Sequence, residues 1–144
     1  LTSSKLNSER GYLGIQTIEQ YDGPIDVKFG VEGVGGPSAG MMFALAIIDK
    51  LTPEQLNNGK VVSGTGTINS DGKVGPVGGV KQKLDAAATK NSELFLVAKG
   101  NCKDVLENPP ATMPVVPVET LNDALDVLKR WRAGETNLPK CVAN

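Results

Sequence analysis

The stretch Gly33-Val34-Gly35-Gly36-Pro37-Ser38-Ala39-Gly40 stands directly before an apolar run at residues 41–51 that ends in charge. Glycine is unusually frequent in this chain, at 17 of 144 residues, or about 12% against roughly 7% in average proteins. Glycine permits backbone conformations that other residues avoid, and an apolar stretch of this length is typical of a packed helix. The stretch therefore predicts a tight loop that leads into a largely buried helix.

The chain beyond that helix alternates strand-like and helix-like segments. Strands are predicted at 61–68, 93–98 and 115–118, and helices at 80–90 and 101–107. A last helix is capped by Thr120, and its apolar stripe of Leu121, Ala124, Leu125, Leu128 and Trp131 has helical spacing. Residues 69–72 predict a turn into Lys73-Val74 and hence a hairpin, residues 80–98 belong to a βαβ-like unit, and 133–144 form an irregular tail.

The first part of the chain gives fewer signals. Residues 1–10 are polar and without periodicity, so we expect a lead-in or linker remnant from a longer chain, with structure beginning at Gly11. Strands are predicted at 12–18 and, from strict apolar alternation, at 25–31. Thr52-Pro53-Glu54-Gln55 has the pattern of a helix start, which predicts a short helix ended by residues 57–59.

Composition excludes several classes of function. The length suits one domain. Fifteen basic against sixteen acidic residues and 4% aromatics make nucleic acid a poor partner, and the longest apolar run, 41–48, is far shorter than the roughly 20 residues of a membrane span. The chain contains no histidine, which excludes histidine-based triads and imidazole metal sites. We expect neither a metal nor a cofactor, and a general base that is a carboxylate, a lysine, an amino terminus or water.

Ser38 occupies a position suited to nucleophilic catalysis. It follows a glycine-rich turn at the start of a predicted helix, where backbone N–H groups can stabilise an oxyanion, and Ala39 and Gly40 leave room for a substrate. The structural alternative is that Ser38 merely caps the helix. Phosphate binding is a minor alternative, because the loop lacks the lysine of a P-loop and the glycine spacing of a dinucleotide site.

Lys81 and Lys83 are candidate bases for such a serine. A lysine must lose about three pKa units, or about 4 kcal/mol, to be half neutral near pH 7. Each lysine lies about 80° from the centre of the stripe formed by Val80, Leu84 and Ala87, on opposite sides. Periodicity does not choose between them, and two solvated lysines on the flanks of an amphipathic helix are the structural alternative.

Cys102 and Cys141 are the two cysteines of the chain. They either pair or remain ordinary thiols, and spacing alone leaves both possibilities open. A bridge would close a loop of roughly 40 residues and imply an oxidising compartment.

Three segments stand in a characteristic order: Gly36-Pro37-Ser38-Ala39-Gly40, Gly64-Thr65-Gly66-Thr67-Ile68, and Gly72-Lys73-Val74-Gly75-Pro76-Val77-Gly78-Gly79-Val80-Lys81-Gln82-Lys83-Leu84. Phe95-Leu96-Val97 and Asn101-Cys102 follow in register. Together they resemble the proteolytic domain of Lon-type proteases, over roughly residues 24–131. The resemblance implies an α+β fold, with small twisted sheets packed with helices, over residues 11–144.

The resemblance also implies a serine endopeptidase with a Ser-Lys dyad. Carried over by motif, Ser38 is the nucleophile, Lys83 is its partner, and Thr65 hydrogen-bonds the lysine. Backbone N–H groups of the loop around Ser38, at Gly36, Pro37 and Ala39, would form the oxyanion hole. A catalytically silent substrate-binding or scaffold module on the same fold is the alternative.

Two departures refine the resemblance. Gly35 stands where many Lon enzymes have an acidic residue, and the chain carries no ATPase motif. It looks more similar to the membrane-anchored, PDZ-linked Lon-like proteases of bacteria. That group implies a Cys102–Cys141 disulfide, a location at the extracytoplasmic face of a bacterial membrane, and PDZ and membrane-anchor segments elsewhere in the full chain. It further implies ATP-independent cleavage of unfolded or flexible protein substrates by a ring-shaped homo-oligomer.

Overall fold

The computed structural model describes residues 2–3, 11–12 and 36–143. The strand predicted at 25–31, most of that at 12–18 and the loop residues before Gly36 lie outside this part. Strand β1 (Thr2–Ser3) pairs antiparallel with β2 (Gly11–Tyr12). The first ten residues, expected to lack structure, therefore contain a strand. The sequence did not predict it, because a two-residue pairing is too short to leave a periodic signal.

Nine further α-helices and strands follow in the continuous part from Gly36. In chain order they are α1 (Gly40–Leu51), β3 (Val62–Thr65), β4 (Thr67–Ile68), β5 (Val74–Gly75), α2 (Val80–Thr89), β6 (Leu94–Ala98), α3 (Cys102–Glu107), β7 (Val115–Val118) and α4 (Leu121–Arg132). This mixture of helices with small sheets confirms the predicted α+β class.

The centre of the described fold is a parallel sheet in the order β3-β6-β7. Helix α2 connects β3 to β6 and α3 connects β6 to β7, which confirms the predicted βαβ-like unit. All five residues of β6 are buried, as expected for a central parallel strand with both faces covered.

Alternate residues of β6 divide the core into two layers. Leu94 and Leu96 pack with residues of α1 and α4, whereas Phe95 and Val97 pack with residues of α2 and α3. Successive side chains of a strand point to opposite faces, so one strand can serve both layers. The consequence for the site is that α1 and α2 are held at opposite faces of β3 and β6.

The predicted strand at 61–68 is divided in two at Gly66. Residues before it form β3 in the parallel sheet, and residues after it form β4, which pairs antiparallel with β5 in the predicted hairpin. A Cβ atom at Gly66 would lie 2.6 Å from Cγ1 of Val74, closer than real Cβ contacts. The chain therefore changes partner at a residue that has no side chain to accommodate.

The short helix predicted at Thr52-Pro53-Glu54-Gln55 is wrong. The hydroxyl of Thr52 donates to the carbonyl of Ile48 at 2.9 Å, and its backbone N–H donates to the same carbonyl at 2.9 Å. The capping signal is thus used to end α1, and the residues that follow form bends and turns. Asn58 and Gly59 both have positive φ angles, 51° and 74°.

Helix α4 agrees with its sequence signals. The Thr120 side chain accepts from the N–H of Asp123, and the Asp123 carboxylate accepts from the N–H of Thr120, which completes a capping box. Beyond α4 the described tail is irregular, as predicted, and buries Leu138. Arg130 donates two hydrogen bonds to Glu135, which lower the pKa of that carboxyl below its ordinary value of 4.5.

The sulfur atoms of Cys102 and Cys141 lie 2.09 Å apart, at disulfide distance. This agrees with the pairing implied by the resemblance. Within the described residues no helix is both long and apolar enough to cross a membrane.

Candidate functional site

Ser38 lies in a 3-10 turn, Pro37–Ala39, that leads directly into α1. Gly36 before the turn has a φ of 89°, in the left-handed region that glycine adopts readily. The N-cap of α1 is Ala39, that of the 3-10 turn is Gly36, and neither end has a side-chain capping hydrogen bond. Ser38 is partly buried at this turn, and the alternative that its hydroxyl caps the helix is wrong.

The backbone of Ser38 is fixed by the end of β3. Its carbonyl oxygen accepts a hydrogen bond from the Thr65 hydroxyl at 3.0 Å and another from the N–H of Gly66 at 3.0 Å. The Gly66 carbonyl accepts in turn from the N–H of Met41 at 3.1 Å. These bonds join β3, the turn and the start of α1 into one unit, so the position of the Ser38 side chain is set by the central sheet.

The structure distinguishes the two candidate lysines on α2. Lys81 forms an ion pair with Asp85 at 2.9 Å, and both side chains are more than half exposed. Lys83 is partly buried, and its Nζ donates to the carbonyl of Gly78 at 2.9 Å. The two positions are equivalent by helical periodicity, but Lys83, unlike Lys81, lines the groove that also contains Ser38.

Ser38, Thr65 and Lys83 line a single groove of about 310 Å³. The remaining lining residues come from the same turn, β3, β6 and α2 or its end: Ala39, Ser63, Gly64, Ala86, Ala87, Lys90 and Phe95. The groove therefore brings together the three side chains that the sequence motifs single out. The groove thus presents a hydroxyl, an amine and several small residues.

The sequence comparisons identify the family of the chain. The family model described as the Lon protease (S16) C-terminal proteolytic domain matches residues 2–131. The chain belongs to this Lon family. The predicted resemblance is confirmed at the level of the family, while the membrane-anchored subtype stays a prediction.

Curated Lon relatives share about a third of the aligned residues. The archaeal Lon protease of Pyrococcus abyssi is 33% identical over 114 residues, covering 78% of this chain and 11% of the relative. The peroxisomal Lon protease homolog 2 of Caenorhabditis elegans is 34% identical over 125 residues, covering 85% and 16%. The Lon protease of Roseiflexus castenholzii is 37% identical over 106 residues, covering 74% and 13%. The chain thus spans about a tenth to a sixth of the length of these three relatives.

One predicted contact of this Lon domain differs in the structure. The resemblance implies a hydrogen bond from Thr65 to Lys83, whereas the Thr65 hydroxyl donates to the carbonyl of Ser38. Lys83 is instead oriented by the carbonyl of Gly78. Thr65 therefore holds the backbone of Ser38, and it is 2% exposed, in the groove wall.

The predicted oxyanion donors also need a correction. Pro37 has no backbone N–H and cannot donate. The N–H groups of Gly40 and Met41 are bonded to the carbonyls of Pro37 and Gly66. Donors at this turn therefore have to come from the other N–H groups, that of Ser38 itself included.

The sequence pattern gave no sign of the carbonyl of Gly78 and the N–H of Gly66, which hold Lys83 and Ser38. Backbone groups carry no side-chain signature, so residue type does not reveal them. It also missed Ser63 and Lys90 in the groove. Lys90 is the C-cap residue of α2, seven positions after Lys83, and that helical spacing is the signal that would have placed both on one face.

Proposed function

We propose that this chain is a serine endopeptidase domain that hydrolyses peptide bonds with Ser38 as nucleophile and Lys83 as general base. The observation that supports the proposal is that Ser38, Thr65 and Lys83 line one groove, while Lys81 is tied to Asp85 on the surface. Membership of the Lon proteolytic family adds to it.

The reaction follows from these two side chains. The amine of Lys83 accepts the proton of the Ser38 hydroxyl while Oγ attacks the peptide carbonyl carbon. The tetrahedral intermediate collapses as Lys83 gives its proton to the leaving amine, and the product is an ester on Ser38. Water then attacks the ester, with Lys83 again accepting and returning a proton, and the serine is restored.

Lys83 has to turn toward Ser38 for these steps. In the structure its Nζ donates to the Gly78 carbonyl, which keeps the amine at the groove. Catalytic hydrogen bonds are often loose without substrate and tighten in the complex. The Gly78 contact is thus the resting position of the base.

The groove supports an extended, flexible polypeptide as substrate. Ala39, Gly64, Ala86 and Ala87 along it have small or absent side chains, so a main chain can approach the nucleophile closely. The chemistry moves only protons and an acyl group, and we propose that the domain needs neither ATP nor a cofactor for cleavage.

We further propose that the domain acts in an oxidising compartment, at the extracytoplasmic face of a bacterial membrane, as part of a homo-oligomeric ring. The two cysteines at disulfide distance support the compartment, because such bridges form outside reducing cytosol. Alkylation of the cysteines in intact cells checks it. Thiols that alkylate freely without a reductant would argue against this location.

The experiment that tests the function compares Ser38→Ala with Ser63→Ala, since both serines line the groove. On an unfolded protein substrate without ATP, we expect Ser38→Ala to be inactive and Ser63→Ala to retain activity. The Tm of Ser38→Ala should stay close to that of the parent, because its hydroxyl caps no helix. Cleavage by Ser38→Ala at the parental rate would refute the assignment, and an inactive parent would favour the silent binding module.

A further inference from the structure

Asn101 is a buried polar residue that the catalytic steps do not use. It ends the 3-10 turn Lys99–Asn101 between β6 and α3 and is 3% exposed. Its Oδ1 accepts from the N–H of Val77 at 2.9 Å, and its Nδ2 donates to the Val77 carbonyl at 2.8 Å. Nδ2 also donates to the carboxylate of Asp104 at 2.8 Å. The side-chain amide of Asn101 thus bonds both the N–H and the carbonyl of Val77, as a neighbouring strand would.

Val77 directly precedes Gly78, whose carbonyl holds Nζ of Lys83. Strand β5 ends at Gly75 and α2 begins at Val80, so the connecting segment 76–79 belongs to no strand. The Asn101 amide fixes this segment one residue before the acceptor for Lys83. Hydrogen bonds at the adjacent residues Val77 and Gly78 therefore link Asn101 to Lys83.

A second contact holds the same segment from the same turn. A Cβ atom at Gly100 would lie 3.2 Å from Cβ of Pro76, so the turn packs closely on the residue before Val77. Asn101 occupies the N-cap position of α3, yet no side-chain capping bond is made there. Its amide is committed to Val77 and Asp104, and capping α3 does not account for it.

We propose that Asn101 is a positioning residue for the Ser38/Lys83 reaction: it holds segment 76–79 so that Gly78 presents Lys83 to the groove. This inference rests on the proposed function. Losing the amide releases Val77 and Gly78 and lets the Lys83 amine leave its alignment. Small displacements of a catalytic group can reduce rates by up to about 100-fold, and they act on kcat when substrate contacts are unchanged.

The test compares Asn101→Ala with Asn108→Ala. Asn108 lies at the other end of α3, and its Nδ2 donates to the carbonyl of Asp104 at 3.2 Å, so it is a matched asparagine that does not contact Val77. At a temperature where all proteins are folded, we expect Asn101→Ala to lower kcat by about 10- to 100-fold with little change in KM. The rate of Ser38 labelling by a fluorophosphonate should fall in parallel. Asn108→Ala should keep both parental values.

A folded Asn101→Ala with parental kcat and labelling rate would overturn the inference, as would an equal loss in Asn108→Ala. If Asn101→Ala does not fold, Asn101→Ser is measured in the same way, since its hydroxyl can satisfy only part of the Val77 pairing. Parental kcat in folded Asn101→Ser would also overturn it. A parent that neither hydrolyses substrate nor labels at Ser38 refutes the proposed function, and this inference falls with it.

Discussion

The position of the Ser38 hydroxyl depends on residues far from it in sequence. Thr65 and Gly66, 27 and 28 positions later, hold the carbonyl of Ser38 from the end of β3. Each such bond contributes on the order of 1 kcal/mol, and a buried acceptor left without a partner costs more. At the scale of single residues, the site is an arrangement of backbone groups that presents one hydroxyl and one amine.

Replacing each lysine by alanine tests the assignment of the base. We expect Lys83→Ala to reduce kcat by about 100- to 10,000-fold, the range for loss of a general base. Lys81→Ala removes only an exposed ion pair spaced i,i+4, worth about 0.3 to 0.5 kcal/mol, and should lower activity only slightly. Steady-state hydrolysis of a peptide substrate measures both, and the reverse order of effects would transfer the role of base to Lys81.

At the scale of elements, α4 begins where its capping box closes. Thr120 and Asp123 satisfy each other's backbone N–H groups, and the stripe behind them buries Ala124 and Leu128 against the sheet. The helix is thus specified twice, by its cap and by its periodicity. Its basic last turn, with Lys129, favours the same direction through the helix dipole.

Thr120→Ala should destabilise the domain by about 1 kcal/mol, because the N–H of Asp123 loses its capping acceptor. Asn122→Ala, two residues after Thr120 and at an exposed position, is the control and should leave stability nearly unchanged. Chemical denaturation measures both, and kcat should be unaffected in each, since α4 does not line the groove. Equal stability of Thr120→Ala and parent would contradict the role of the capping box.

Sequence signals predict an element well when local pattern and tertiary packing agree, as in α4 and the βαβ unit. Thr52 shows the opposite case: its hydroxyl can begin a new helix or end the old one, and only the contact with Ile48 decides. Gly66 divides a β-prone run because Val74 packs against its bare Cα. In the site, Ser38 was predictable from its motif, but the choice of Lys83 required the Lon resemblance or the structure.

At the scale of the whole molecule, the tail is tied back to the body at Cys141. The bridge to Cys102 spans a sequence separation of 39. Nearer the start of the tail, Arg130 donates a hydrogen bond to the carboxylate of Glu135. The groove lined by Ser38, Thr65 and Lys83 lies outside this enclosed segment, since all three residues precede Cys102. We therefore expect a loss of stability in the tail to leave the chemistry at the groove unchanged.

Reduction of the oxidised domain should lower its stability by about 4 kcal/mol in the chain-entropy model for a loop of roughly 40 residues. The Tm should fall, while hydrolysis at a temperature where the reduced form is folded should survive. A variant with both Cys102→Ser and Cys141→Ser should match the reduced parent and should not respond to a reductant. Mass spectrometry of unreduced peptides establishes the pairing, and two freely alkylated thiols would contradict it.

Covalent labelling of Ser38 is the sharpest test of its proposed role as the nucleophile activated by Lys83. The folded domain is treated with a fluorophosphonate, digested and mapped by mass spectrometry, in the parent and in Ser38→Ala and Lys83→Ala. We expect one adduct, on Ser38, that is absent from Ser38→Ala and forms far more slowly in Lys83→Ala. An adduct on another serine such as Ser63, or substrate cleavage that persists with Ser38 unlabelled under saturating reagent, would contradict it.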